Sequence, residues 1–183
     1  VIDLGRRIKA SGMQFLLDFH YSDTWADPGK QFTPSAWANL SAAQLNQKIH
    51  DYSRDCILAL KAAGAMPDIV QPGNEITNGM LWPTGKLPSG GWPVLGALLK
   101  SAIAGIKEAA GASTPKIMIH IDRGGDWPGT KSFFTQLEAQ SVDFNRATKV
   151  AVATGAPLLR SKDDDGKETL LRARKLRVNS ETK

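Results

Sequence analysis

Pro67-Asp68-Ile69-Val70-Gln71-Pro72-Gly73-Asn74-Glu75 is the stretch on which the fold turns. A short apolar centre follows a proline and closes in a glycine and two polar residues, the pattern of a strand buried on both faces of a parallel sheet. Two other segments share that form: Met13-Gln14-Phe15-Leu16-Leu17-Asp18-Phe19-His20 and Lys116-Ile117-Met118-Ile119-His120-Ile121-Asp122. Each closes in chemically capable side chains: Asp18 and His20, Asn74 and Glu75, His120 and Asp122. Each is followed by a loop that carries a tryptophan, respectively Trp25, Trp82 and Trp127.

The segments between the strands have helical spacing. Leu45, Ile49, Tyr52, Cys56, Leu60 and Ala63 recur at steps of three and four, with Ser41 as cap and Gly64 as stop. Leu95, Leu98, Leu99, Ala102, Ile106 and Ala109 form a second stripe closed by Gly111. Ile2, Leu4 and Ile8 end a first helix before Ser11-Gly12, and Phe133, Phe134 and Leu137 mark a short last one. Val142-Asp143-Phe144 leads toward a fourth strand, and there the pattern stops. Strands alternating with helices imply right-handed parallel crossovers. Polar strand ends under long loops fit a (β/α)8 barrel, where these ends build the active site. A doubly wound sheet is disfavoured, because no glycine-rich phosphate loop follows any strand. A whole barrel needs eight strands and about 250 residues, so the expected fold is an incomplete α/β TIM barrel.

Composition narrows the function. The chain has 183 residues, 42% hydrophobic and 22% charged, with a formal net charge of +5, which suits one globular domain. No apolar run approaches the roughly 20 residues of a membrane span, so no membrane partner is expected. The single Cys56 excludes an internal disulfide framework and a cysteine-based zinc site. The residues up to 145 are balanced in charge and hold every aromatic side chain; the whole excess lies in 146–183. That basic tail is interrupted by Asp163-Asp164-Asp165 and has no aromatic for base stacking, so no nucleic-acid partner is expected and the tail reads as poorly ordered. The first residues, Val1-Ile2-Asp3-Leu4-Gly5-Arg6-Arg7, show neither an initiator Met nor a signal layout, which implies a processed chain or a missing start.

Glu75 is the leading catalytic candidate. A carboxyl at a strand end beside Gly73-Asn74, facing a loop with Trp82, is shielded enough to have its pKa raised, as a general acid near neutral pH requires. Asn74 is placed to bind a substrate hydroxyl. Trp25, Trp82 and Trp127 offer flat faces suited to the C–H faces of sugar rings, whereas Trp37 and Trp92 read as structural anchors. His20, His120 and Asp122 raise a metal site, yet no His-x-His pair, His-Glu-x-x-His motif or cysteine ligand accompanies them. Hydrogen bonding to substrate or to Glu75 is the better reading, with no metal and no cofactor. No Gly-x-Ser-x-Gly elbow is present.

Three collinear strings together resemble glycoside hydrolase family 53, the endo-β-1,4-galactanases that cut arabinogalactan. They are Leu16-Leu17-Asp18-Phe19-His20-Tyr21-Ser22-Asp23-Thr24-Trp25-Ala26-Asp27-Pro28-Gly29-Lys30-Gln31, then Gln71-Pro72-Gly73-Asn74-Glu75-Ile76-Thr77-Asn78-Gly79-Met80-Leu81-Trp82-Pro83, then His120-Ile121-Asp122 with Gly125-Asp126-Trp127. The Asn-Glu pair alone is common to many retaining barrel glycosidases; the loop strings are more specific. The resemblance covers residues 1–145 and implies the barrel from its second helix to the start of its sixth strand, with strands 3 to 5 in full. It implies that Glu75 is the acid/base glutamate and Asn74 the partner of the hydroxyl beside the reacting carbon. Asp18, His20, His120 and Trp82 match cleft positions.

Family members retain configuration with two glutamates about 5–5.5 Å apart. The resemblance places the nucleophile on a seventh strand that this chain does not reach, and neither Glu168 nor Glu181 follows a strand pattern. From Arg146 onward the text is unlike the family, and Pro72 replaces a usual β-branched residue, removing a ladder hydrogen bond from a central strand. The expectations are therefore a partial catalytic domain over 1–145 and a non-family tail over 146–183, from a truncated or mis-spliced galactanase. Sheet edges left open disfavour independent folding. Secretion and a monomeric full-length enzyme follow from the polymeric substrate and the resemblance. The alternative is an inactive remnant that at most binds galactan.

Overall fold

Residues 1–144 are described in full by the computed structural model, with the backbone of three short strands at 146–149, 159–162 and 168–171. In chain order the elements are α1 (Ile2–Ala10), β1 (Leu16–Phe19), α2 (Ala42–Ala62), β2 (Ile69–Pro72), a small hairpin of β3 (Gly79–Met80) and β4 (Gly85–Lys86), α3 (Gly91–Ala110), β5 (Lys116–Ile121), α4 (Trp127–Ala139), β6 (Arg146–Lys149), and a pair of β7 (Leu159–Lys162) and β8 (Glu168–Leu171). Local chemistry explains most boundaries. Ser41 and Gln44 form a reciprocal capping box at the start of α2. Asp126 caps α4 by accepting from the Gly129 N–H at 2.9 Å.

β1, β2, β5 and β6 form one sheet in that order, and every pairing in it is parallel. The strands therefore point their C-terminal ends the same way, which brings the three polar pairs to one rim. The fourth strand, β6, is a difference from the sequence reading: Arg146–Lys149 pairs with Met118–Ile121 although its residues lack an apolar pattern. Backbone hydrogen bonds to an existing edge need no particular side chains, so periodicity does not announce such a strand. β7 and β8 pair with each other antiparallel, outside that sheet. Glu168, where no strand pattern was legible, opens β8 opposite Lys162. Apart from these strands, the expectation of a poorly ordered tail concerns positions that lie outside the described residues.

Pro72 is accommodated at the end of β2. The N–H groups of Ile69 and Gly73 donate to the carbonyls of Phe15, just before β1, and Phe19, at its end. By strand alternation the position of Pro72 faces β5, and the register with β5 ends at Val70↔Ile117. The proline thus stands just past the end of that ladder, where its missing N–H interrupts no pair of the register. Gly73 follows with φ +103°, and a Cβ there would sit 2.6 Å from Ile76 Cγ2, so only glycine fits.

The core lies between the sheet and helices α2 and α3. Along α2 the fully covered line is Leu45, Ile49, Ser53, Ile57 and Leu60, while Tyr52 and Cys56 flank it. Ser53 hid this line in the sequence. Its buried hydroxyl is satisfied by the Ile49 carbonyl at 2.6 Å and the Tyr21 hydroxyl at 2.8 Å. Gly105 allows α3 to approach α2 closely, since a Cβ there would meet the His50 carbonyl oxygen at 2.2 Å. Trp37 and Trp92 are anchors as the sequence implied: Trp37 packs edge-on to Tyr52, and Trp92 edge-on to Phe133. On the far side of β1, which has a single neighbour in the sheet, lies a cavity of about 520 Å3 lined by Val1, Ile2, Leu17, Phe19, Tyr52 and Cys56 among others. Val1 and Ile2 in that lining are exposed.

Candidate active site

Glu75 stands just past β2 in the left-handed region, φ +49° and ψ +49°. For a residue with a Cβ that conformation costs about 1–2 kcal/mol and persists only when neighbours over-determine it. The turn lifts the chain off the strand and starts a short 3₁₀ segment, Ile76–Asn78. Burial raises the Glu75 pKa, and the nearby charges of Asp122 and then Asp27 add to it, against a smaller opposing effect of His20. This is the sign a general acid needs, and its first cause is desolvation, as the sequence implied.

Asn74 and His120 define each other's orientation. The Asn74 Nδ2 donates to the Ala26 carbonyl at 2.8 Å, which turns Oδ1 toward His120 Nδ1 at 2.9 Å. The shorter contact, to an oxygen that can only accept, favours a proton on His120 Nδ1 over an acceptor there for the Gln71 amide at 3.2 Å, and leaves Nε2 unprotonated in that tautomer. Burial holds the His120 pKa below the usual imidazole range, against the pull of Asp18 and Asp122, so the neutral ring is favoured. The Nε2 atom is buried and has no hydrogen-bond partner. Gln71, buried on β2 and absent from the sequence-based candidates, lies between these groups. Its Nε2 sits 3.5 Å from Asn74 Oδ1 and 3.2 Å from His120 Nδ1, and it supports the Asp18 carboxylate.

Asp18 and His20 form a second pair. The Ala26 N–H donates to His20 Nδ1 at 3.1 Å, so the His20 proton resides on Nε2, 3.4 Å from Asp18 Oδ2. Burial raises the Asp18 pKa, partly opposed by His20 and by the Gln71 hydrogen bond. Asp18 Oδ1 is buried and unpartnered, like His120 Nε2. Two buried acceptors at the strand ends therefore have no hydrogen-bond partner among the described residues. Asp122 is held by Thr77, whose hydroxyl donates to Asp122 Oδ1 and accepts the Asp122 N–H at 3.2 Å. That clasp ties the turn after Glu75 to the end of β5. Among the described residues no group of three or more His, Cys, Asp or Glu side chains converges as a metal site.

The tryptophans divide. Trp25 is 68% exposed and stands edge-on against His20, with ring centres 4.8 Å apart. Trp127 is also exposed, at the first turn of α4. Trp82, expected on the same rim, is buried: its Nε1 donates to the Asn78 carbonyl, Phe32 meets its ring edge-on, and Lys86 Nζ lies over the ring at 4.3 Å. Cation–π contact and packing occupy the faces that a sugar would use. The loop from Ala26 to Thr33 is joined to it by the Trp82 N–H to the Gln31 carbonyl at 2.7 Å and the Thr33 N–H to the Trp82 carbonyl at 3.1 Å. Gln31 and Thr77 had no signal in the sequence, since both are ordinary polar residues whose partners lie 43 and 45 positions away.

Comparison with known proteins gives one consistent result. The family described as Glycosyl hydrolase family 53 matches residues 1–148, slightly beyond the boundary at 145 read from the sequence. An arabinogalactan endo-β-1,4-galactanase of Thermothelomyces thermophilus is 44% identical over 139 residues, 76% of this chain and 41% of its own. The catalytic domain of an Ignisphaera aggregans protein of the same family superposes with a TM-score of 0.75 at 38% identity, covering 80% of this chain and 39% of that one. A structure from a study of two fungal β-1,4-galactanases superposes with a TM-score of 0.74 at 40% identity, covering 80% and 44%. The chain thus spans about two fifths of the length of the relatives it matches.

Proposed function

The chain belongs to glycosyl hydrolase family 53, and from that premise we propose that it forms the acid/base part of a retaining endo-β-1,4-galactanase acting on (arabino)galactan. The observation that carries this reading is the Glu75 carboxyl. It is held at a strand end in a left-handed turn, with its pKa raised first by burial and then by Asp122 and Asp27. In such a site Glu75 donates its proton to the glycosidic oxygen as that bond breaks, and the resulting carboxylate later takes a proton from the attacking water. Asn74 bonds the hydroxyl next to the reacting carbon through the amide that His120 and Ala26 orient. Asp18, His20 and His120 stand beside the sugar as cleft residues, and Trp25 and Trp127 offer apolar faces to neighbouring rings.

The nucleophilic glutamate of this mechanism is proposed to come from a barrel strand outside the 183 residues. Glu108 and Glu138 lie on α3 and α4, away from the strand ends. A polymer too large to enter cells puts the complete enzyme outside them, as a monomer without nucleic-acid or membrane partners. Among the described residues no helix is long and apolar enough to cross a membrane. The second reading, a non-catalytic chain that binds galactan, is favoured by the same lack of a second glutamate at the C-terminal ends of the described parallel strands.

A chimera separates the two. Residues 1–144 replace the matching segment of the Thermothelomyces thermophilus relative, which restores whatever supplies the second carboxylate. Reducing ends released from β-1,4-galactan should fall by at least a thousandfold on Glu75→Gln, while galactan still retards the variant in affinity electrophoresis. A chimera that hydrolyses galactan equally well with Glu75→Gln would refute the acid/base role. Release of reducing ends by the 183-residue chain alone would refute the missing nucleophile.

A further inference from the structure

We propose that Gln31 is the positioning residue of Glu75: its side-chain amide, carried by the loop after β1, holds the Asn74–Glu75 peptides in the left-handed turn that aims the carboxyl. Gln31 is 1% exposed although it lies in a loop. Its Nε2 donates to the Asn74 carbonyl at 2.7 Å and reaches the Glu75 carbonyl at 3.4 Å. In an extended strand, successive carbonyls point to opposite sides, and one amide nitrogen does not reach both. The two carbonyls converge on Gln31 because the backbone has left the strand conformation at Glu75. The bond is therefore specific to the turned form and absent from the extended alternative.

The backbone that carries the amide is itself anchored, although the side-chain Oε1 is buried without a partner among the described residues. The Gln31 backbone carbonyl accepts the Trp82 backbone N–H at 2.7 Å, and Thr33 bonds the Trp82 carbonyl through both its N–H and its hydroxyl. Phe32 and Trp82 pack ring to ring at 5.9 Å. The Asn74 and Asn78 side chains donate back to the carbonyls of Ala26 and Pro28 on the same loop. The loop after β1 and the loop after β2 are thus one stitched unit with the Gln31 amide beneath the Glu75 turn. Glutamine fits this position because it supplies two neutral donors on an arm long enough to pass under the turn. A carboxylate there would face two carbonyl oxygens with none. Buried Trp82 gains a role in this arrangement as the anchor of the clamp rather than as a sugar platform.

The proposal rests on the acid/base reading of Glu75, and its test reads carboxyl placement without turnover. The 183-residue chain, labelled with carbon-13, is titrated by carboxyl NMR, and the Glu75 signal is identified by its loss in Glu75→Gln. Gln31→Met keeps the volume and removes the donors; Gln31→Asn keeps an amide on a shorter arm. In the wild type the Glu75 midpoint should lie above the ordinary glutamate range, as its burial and the Asp122 and Asp27 charges imply. In Gln31→Met at least half of that elevation should disappear with the Trp82 indole signal unmoved, and Gln31→Asn should fall between.

An unchanged midpoint in both variants overturns the proposal, and so does a wild-type midpoint in the ordinary range. Loss of the fold in both variants also overturns it, because bulk support of the loops rather than a clamp on the turn would then be the role. An inactive chimera together with the expected midpoint shift counts against the galactanase reading alone. An active chimera with an unmoved midpoint counts against Gln31 alone.

Discussion

Asn74→Asp should convert His120 from a neutral ring into a charged one. In the wild type the Asn74 amide is fixed by the Ala26 carbonyl, so its oxygen meets His120 Nδ1 at 2.9 Å. The substitution is nearly isosteric and places a carboxylate at that oxygen. An opposite charge at such a distance raises an imidazole pKa by about 1–3 pH units, or about 1.4–4 kcal/mol in favour of the protonated form. The direction opposes burial, which holds His120 low in the wild type. The pH dependence of stability should then weaken or reverse. The wild-type His120 binds fewer protons folded than unfolded between its lowered folded value and about 6.5, so there stability rises with pH. In the variant the folded value is raised, so that rise shrinks, and once the folded value passes about 6.5 stability falls as pH rises between the two. The same substitution removes the donor to the Ala26 carbonyl, which costs about 1–3 kcal/mol in this buried place at any pH where the carboxyl is ionised. The chain has three histidines, so the imidazole ring signals in a two-dimensional proton–carbon spectrum are assigned with His20→Gln and His50→Gln and followed from pH 4 to 9. A His120 midpoint in Asn74→Asp at or below the wild-type value would refute the reasoning, for it would mean that Asn74 does not present its oxygen to the ring.

Two further outcomes follow from the packing beneath the site. Gly105→Ala should destabilise by about 1–3 kcal/mol despite the roughly 0.5–1 kcal/mol gain in helix propensity, because its Cβ would lie 2.2 Å from the His50 carbonyl oxygen and force α2 from α3; a urea midpoint equal to or above the wild type would contradict the close approach. Asp68 accepts the Phe15 N–H at 2.7 Å and Lys9 Nζ at 2.9 Å, and these bonds, the backbone one first, hold its carboxyl below the usual range. Its contribution is present above the ordinary aspartate value of about 3.9 and lost as pH falls through the lowered folded value. Asp68→Asn should therefore flatten the acid limb of urea midpoints measured from pH 7 down to 2.5.

Much of the candidate site was readable because it sits at the ends of strands. Ile69-Val70 running into Gly73-Asn74-Glu75 marks a buried strand and its polar terminus within a few residues, so Glu75 and Asn74 stand out locally. The same holds for Asp18, His20, His120 and Asp122. Gln71 did not stand out, because a polar residue inside an apolar run has meaning only when Asp18 and His120 are brought to either side of it. Trp82 misled for the opposite reason. Its loop position matches that of Trp25, yet Phe32 and Lys86, 50 positions before and 4 after, cover it.

Local sequence carried the alternation of strands and helices, the cap that starts α2, and the rim on which Glu75 lies. Those features come from period, capping and turn residues, all of which act over a few positions. Long-range packing set the parallel pairing of β6, the tolerance of Pro72 at the edge of the β2–β5 register, the partners that face each histidine at the strand ends, and the Gln31 bond beneath the Glu75 turn. Each of these depends on partners brought together from distant positions or from another strand. Their geometry is set by how the sheet stacks its neighbours, and no local pattern in the chain encodes it.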